Sequence, residues 1–225
     1  MNLKHLRWIF VGVLAAFLIV ANVTDSTTFG VSSEWSSSTG YHFSGGTSPW
    51  ALAFSVAVIG LYLLLMNAMP TQPGQPLPGV VRRFVAFWLD FLLAIAAIAP
   101  IFGIVPMLAE WRRTRVFEWS FERTTAAPSD GPLIAAGMLL GSVALVFYYA
   151  LPLVRHKPSP GACILGYQVI PENRETLPLR TALLRTLLGF IAVSGACLAP
   201  FVARDRKNGK FWLDKVFATR AVTLT

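Results

Sequence analysis

The run RRFVAFWLD, residues 82–90, sets two arginines ahead of an apolar stretch and an aspartate inside it. On an α-helix Arg83 and Asp90 stand two turns apart on roughly one face, about 10 Å along the axis. A carboxylate inside a membrane helix is costly unless a cation or hydrogen-bond donors meet it. Two kinds of chemistry justify that cost. One is binding or relay of a proton or cation; the other is an ion pair that fixes helix register. Little else in the chain suggests chemistry: there is no nucleophile elbow, His-Glu metal motif, P-loop or paired-carboxylate spacing. No catalytic residue is assigned, and the chain is not expected to be an enzyme. His5, His42 and His156 are scattered without metal-ligand spacing, so neither a metal nor a cofactor is expected. Cys163 and Cys197 fall in or beside membrane and cytoplasmic segments, which argues against a structural disulfide.

The elements that position Asp90 are membrane segments. The 225-residue chain is 55% hydrophobic and only 13% charged, where a soluble domain carries roughly 25% charged residues. Its apolar residues come in blocks at 8–23, 50–66, 84–108, 133–154 and 187–203. Crossing a bilayer takes roughly 20 helical residues. The second, third and fourth blocks meet that length, while the first and fifth are marginal. Lys4, His5 and Arg7 ahead of the first block resemble the start of a signal peptide, but "IVANVTDS" offers no small-x-small cleavage site. A retained anchor is the expectation.

Lys and Arg positions set the orientation. The segment 24–49 has none of the 19 basic residues, whereas Lys4, Arg7, Arg82 and Arg83 flank the first and third blocks on their N-terminal sides. With the N-terminus in the cytoplasm, and a fifth block that dips in and returns, only Arg112, Arg113, Arg115 and Arg123 lie outside. A fifth crossing would export Arg204, Arg206, Lys207, Lys210, Lys215 and Arg220. The expected fold is therefore an all-α membrane protein with four transmembrane helices plus a re-entrant or in-plane fifth segment; five crossings are the alternative. The net charge of +8 follows from this distribution and from attraction to anionic headgroups, with no nucleic-acid motif beside it.

The loops add two expectations. Residues 24–49 mix Ser, Thr and Gly with aromatics, and VFEWSFER at 116–123 alternates apolar and polar residues. They form either a small extracytoplasmic cap or a flexible interfacial loop. PSPGACILGYQVI, residues 158–170, reads as a turn and a strand at Ile164–Ile170, and PENRE as a second turn, giving a cytoplasmic β-hairpin between the fourth and fifth blocks.

Four stretches in order resemble the RDD family of small bacterial membrane proteins: RRFVAFWLD, SPGACILGYQVI (159–170), LLRTLLGF (183–190) and WLDKVFATRAV (212–222). The resemblance covers residues 80–222 and implies that Arg83, Asp90 and Asp214 are the family's charged set. It divides the chain into 1–79, two N-terminal helices with a Ser-rich loop, and 80–225, an RDD-like membrane domain. Ala162, Leu213 and Ala218 stand where the family usually has lysine, histidine and glycine.

Arg83, Ala86, Asp90, Ala94 and Ala97 share one helical stripe, which turns Asp90 into the bundle rather than toward lipid. Arg83 is expected to pair with Asp214, and Arg185, by its depth, to be the intramembrane partner of Asp90. The family association implies transport of a small solute, cation or proton at the bacterial inner membrane. The alternative is a non-catalytic accessory or scaffold subunit whose charged set is structural. Besides the bilayer, the expected partners are a second copy of the chain or another membrane-protein subunit, with no nucleic acid.

Overall fold

The computed structural model describes residues 3–23, 30–36, 40–67, 79–124, 130–172, 177–196 and 211–223. Helix α1 runs Leu3–Val23, α2 Pro49–Met66, α3 Val80–Thr114 and α4 Asp130–Val154. Among the described residues, three helical stretches are long and apolar enough to cross a membrane: Pro49–Met66, Val81–Thr114 and Asp130–Val154. The apolar part of α1, His5–Val20, is shorter. The mostly helical architecture matches the expectation at this coarse level. The second half of the fifth block, 197–203, lies outside the described residues, as do Arg204, Arg206, Lys207 and Lys210.

The described residues form two compact units. One comprises Val13–Gly60 and Ala94–Ala144. It contains a three-stranded antiparallel sheet of β1 (Gly30–Ser36), β2 (Gly40–Gly46) and β3 (Ser120–Arg123), with β2 central. Gly46 pairs with both Gly30 and Ser120. A Cβ on Gly103 of α3 would strike the carbonyl oxygen of Gly46, so glycine there lets the helix and β2 meet backbone to backbone. Phe43 packs on Phe121 at 5.5 Å, and the Arg123 guanidinium covers Phe43 while pairing with Asp130 at the start of α4. The strand expected over 116–123 is confined to its second half.

The other unit comprises Met1–Gly12, Leu61–Leu93 and Leu145–Thr225. Helix α4 ends in left-handed backbone at His156 (φ 53°), which lets the Lys157 N–H donate to the Pro152 carbonyl at 2.8 Å. Pro158 follows. Ser159 then caps the short helix α5, Pro160–Ile164, with its Oγ accepting from Ala162 N and proline at the first helical position. Beyond Gly166 (φ 67°) comes β4, Tyr167–Pro171. Helix α6 spans Leu179–Ala196, α7 spans Trp212–Val216, and β5 spans Thr219–Thr223.

The expected local hairpin is corrected here: β4 pairs antiparallel with β5 from the far end of the chain, Tyr167 opposite Thr223 and Pro171 opposite Thr219. Two local causes explain the error. Ser159 nucleates a helix across Pro160–Ile164, delaying the strand, and the residues after PENRE start α6 instead of a second strand. Ala86, Ala162, Tyr167 and Ala221 then make one small core joining α3, α5 and the two strands.

Ala218, at the turn from α7 into β5, has φ 47°, a conformation costing a non-glycine residue about 1–2 kcal/mol. Its carbonyl accepts from Glu172 N at 2.8 Å, which fixes the turn. Ala218→Gly removes that strain but gains unfolded-state entropy worth roughly 0.4–1 kcal/mol. A net stabilisation of about 0.5–1 kcal/mol is expected, read as a rise in detergent melting temperature of about 2 °C; a fall would show that the turn is not strained.

Candidate functional site

Arg83, Ala86, Asp90, Ala94 and Ala97 are all buried, whereas Val85, Trp88 and Leu92 on other faces of α3 are exposed. The inward stripe read from the sequence is therefore the buried one. It sets two carboxylate-centred clusters, both within the unit that contains α5, α6 and α7.

The first is built on Asp214, which is fully buried in the first turn of α7. Arg83 Nη1 donates to its Oδ2 at 2.6 Å and Arg185 Nη2 to its Oδ1 at 2.7 Å. Thr219 Oγ1 donates to Oδ1 at 3.3 Å. The Arg83 guanidinium also stacks 4.1 Å from the Phe211 ring centroid. One carboxylate thus ties α3, α6 and the start of β5 together. Burial alone would push the Asp214 carboxyl up, but Arg185 and Arg83 outweigh it and hold it below the usual carboxylate range.

The second cluster is built on Asp90. Its Oδ2 accepts from Ser159 Oγ at 2.5 Å and its Oδ1 from Gly161 N at 2.6 Å. The partner expected from depth, Arg185, is engaged by Asp214 instead. The physical reason is that the first turn of α5 supplies free N–H groups and a positive dipole end, which meet a carboxylate without any cation. Gly161 makes this approach feasible. A Cβ there would strike the Ala86 carbonyl oxygen and lie 3.0 Å from both the Asp90 carboxyl carbon and the Asp90 nitrogen.

Arg82, which the sequence offers only as a basic residue flanking the third apolar block, donates from Nε to the Leu165 carbonyl at 2.5 Å and from Nη2 to Gly166 O at 3.2 Å. It therefore grips the C-terminal end of α5 while Asp90 grips the N-terminal end. The tandem arginines and the Ser-Pro-Gly turn were visible signals, but nothing local says that they meet. Cys163 in α5 is a buried free thiol, and burial pushes it up to about 12, which makes it inert.

A cavity of about 170 Å³ opens between these clusters, with Arg83, Asp90, Lys157, Ser159, Arg185 and Asp214 among its lining residues. Aromatic walls come from Phe87, Phe190 and Phe211. Tyr149, another lining residue, donates from its hydroxyl to the Phe87 carbonyl at 3.2 Å.

A family model described as the RDD family matches residues 77–217, a stretch containing Arg83, Asp90, Arg185 and Asp214. No curated protein and no solved structure matches the chain.

Two outcomes follow from this geometry. Gly161→Ala forces α5 off α3 and lengthens the Gly161–Asp90 hydrogen bond; a loss of about 1–3 kcal/mol is expected, measured by melting in detergent, and a neutral result would contradict the close approach. Asp214 titrates below its unfolded value of about 3.9, so its contribution is complete above about pH 4 and fades as pH falls through the lower folded value. Asp214→Asn should melt lower than wild type at pH 7 and approach it in acid; a constant gap would disprove the linkage.

Proposed function

The chain belongs to the RDD family, and on that premise we propose that it is a non-catalytic accessory or scaffold subunit of a bacterial inner-membrane complex, with its Arg/Asp set structural. The observation that carries this reading is the commitment of both Asp90 oxygens, one to Ser159 Oγ and one to Gly161 N. Asp214 is likewise engaged by Arg83, Arg185 and Thr219. A proton or cation relay through Asp90 would have to break the contacts that seat α5. A structural carboxylate only has to keep them.

The proposed topology has four crossings, α1 to α4, with α6 and the following apolar residues re-entrant or in the membrane plane. Both termini lie in the cytoplasm in this topology, which the distribution of Lys and Arg supports. The partner class is another membrane-protein subunit or a second copy of the chain. Helix α4 supports this reading, because Met138, Leu139, Leu140 and Val143 are exposed and present a broad apolar surface to lipid or to a neighbouring helix.

Purified protein in vesicles with an internal pH dye tests the assignment. No proton or cation flux is expected, Asp90→Asn should fold because an amide can keep both contacts, and a membrane protein should co-purify stoichiometrically. Flux that Asp90→Asn abolishes in a folded protein would replace this reading with transport. Cysteines placed by Trp35→Cys and Lys215→Cys should label from outside and inside, respectively; labelling of position 215 from outside would overturn the topology.

A further inference from the structure

We propose that the cavity between Arg83 and Arg185 is a binding site for a phosphate group, and that its source is the headgroup of an anionic lipid. The inference rests on the membrane placement of α3 proposed above, but not on the accessory role.

The first argument is an inventory of donors. Asp214 takes a single nitrogen from each arginine, Nη1 of Arg83 and Nη2 of Arg185. Among the described residues, Arg83 Nε and Nη2, Arg185 Nε and Thr186 Oγ1 are buried with no hydrogen-bond partner. A guanidinium carries five N–H donors in a planar fork, and buried donors left unmet cost about 1–3 kcal/mol each. Both arginines and Thr186 line the cavity, so an oxyanion placed there can meet donors that Asp214 leaves over. The fork geometry of arginine suits the oxygens of a phosphate.

Local pairing and size point the same way. Arg83 and Arg185 share the single carboxylate of Asp214, while Asp90 is bonded apart from them by Ser159 and Gly161. Two guanidinium groups on this wall thus have one directly paired anion between them. About 170 Å³ is far more than the roughly 10–15 Å³ one water needs by the same kind of measure.

Location distinguishes a lipid from a soluble ester. Arg83 lies in the first turn of the membrane-crossing part of α3, where headgroup phosphates sit. Helix α6 presents Arg185 and Thr186 to the cavity, while Leu184, Leu187, Leu188 and Ile191 form an exposed apolar stripe at helical spacing. A helix with that division lies at the bilayer boundary. Phe87, Phe190 and Phe211 in the cavity wall suit the apolar part of an amphiphile.

The test uses full-length protein purified in detergent and stripped of bound lipid. Melting temperature is followed against inorganic phosphate, against short-chain phosphatidylglycerol, and against sodium chloride at matched ionic strength. A saturable rise of about 3 °C or more with phosphatidylglycerol is expected, at a concentration at least about tenfold below that for phosphate. A response to phosphate alone would keep the site and exclude the lipid source. No saturable response to either ligand, or an equal response to chloride, would overturn the proposal.

Arg185→Lys retains a cation for Asp214 but removes the spare donor, and Thr186→Val leaves the ion pairs untouched. Each should weaken the ligand response about tenfold while Thr186→Val melts no lower than wild type without ligand; an undiminished response in both would place binding elsewhere. Failure here would leave the partner and flux experiments unaffected.

Discussion

The unit that contains Arg83, Asp90 and Arg185 depends on one buried carboxylate. Asp214 stands in a five-residue helix that has no side-chain cap and too few residues to be stable alone. Its position is fixed from outside, by Arg83 from α3 and Arg185 from α6. Removing one member of such a cluster leaves the remaining charges buried and uncompensated, which typically costs about 3–5 kcal/mol. Both cations are arginines, whose weaker hydration and rigid fork suit a desolvated site better than lysine. Once Asp214 is held, β5 is brought beside β4, and the tail becomes a strand partner for a segment some fifty residues earlier.

Asp90 answers the opening problem of a carboxylate in an apolar helix by a different route. Helix α5 runs antiparallel to the start of α3, with its N-terminal end at Asp90 and its C-terminal end at Arg82. At 1.5 Å per residue, five residues of α5 span about 7.5 Å, and the eight-residue interval on α3 spans about 12 Å. The reach of the arginine side chain makes up the difference. Every residue from Pro160 to Ile164 is buried, so the short helix is surrounded by protein along its whole length.

Some of this was legible in the sequence because its cause is local or periodic. The alanine stripe of α3 follows from helical spacing, and three long apolar helices follow from composition. The cap sheet was half legible, since alternation marks a strand but not its partner: β3 lies about eighty residues from β2. The β4–β5 pair and the partner of Asp90 were not legible for a related reason. Depth along a helix ranks cationic candidates, but it cannot register backbone N–H groups, which every segment possesses and only a helix start leaves free. Arg185, expected opposite Asp90, is engaged by Asp214.

Ala162 and Leu213, which the sequence resemblance sets apart, bear on the same point. Ala162 is buried against Ala86, Tyr167 and Ala221, and it also lines the cavity. A lysine in its place would bring an ammonium into the cavity that Asp90 also lines. With alanine there, α5 and α3 can pack methyl against methyl, and Asp90 is met by the hydroxyl and amide already described. Leu213 makes a parallel change by presenting an apolar wall beside Asp214. Neither alanine nor leucine adds a titratable group to the cavity, and Arg83 and Arg185 remain in its wall. The planar donor forks of those two arginines, which do not release protons at physiological pH, are what such a wall offers to an anion.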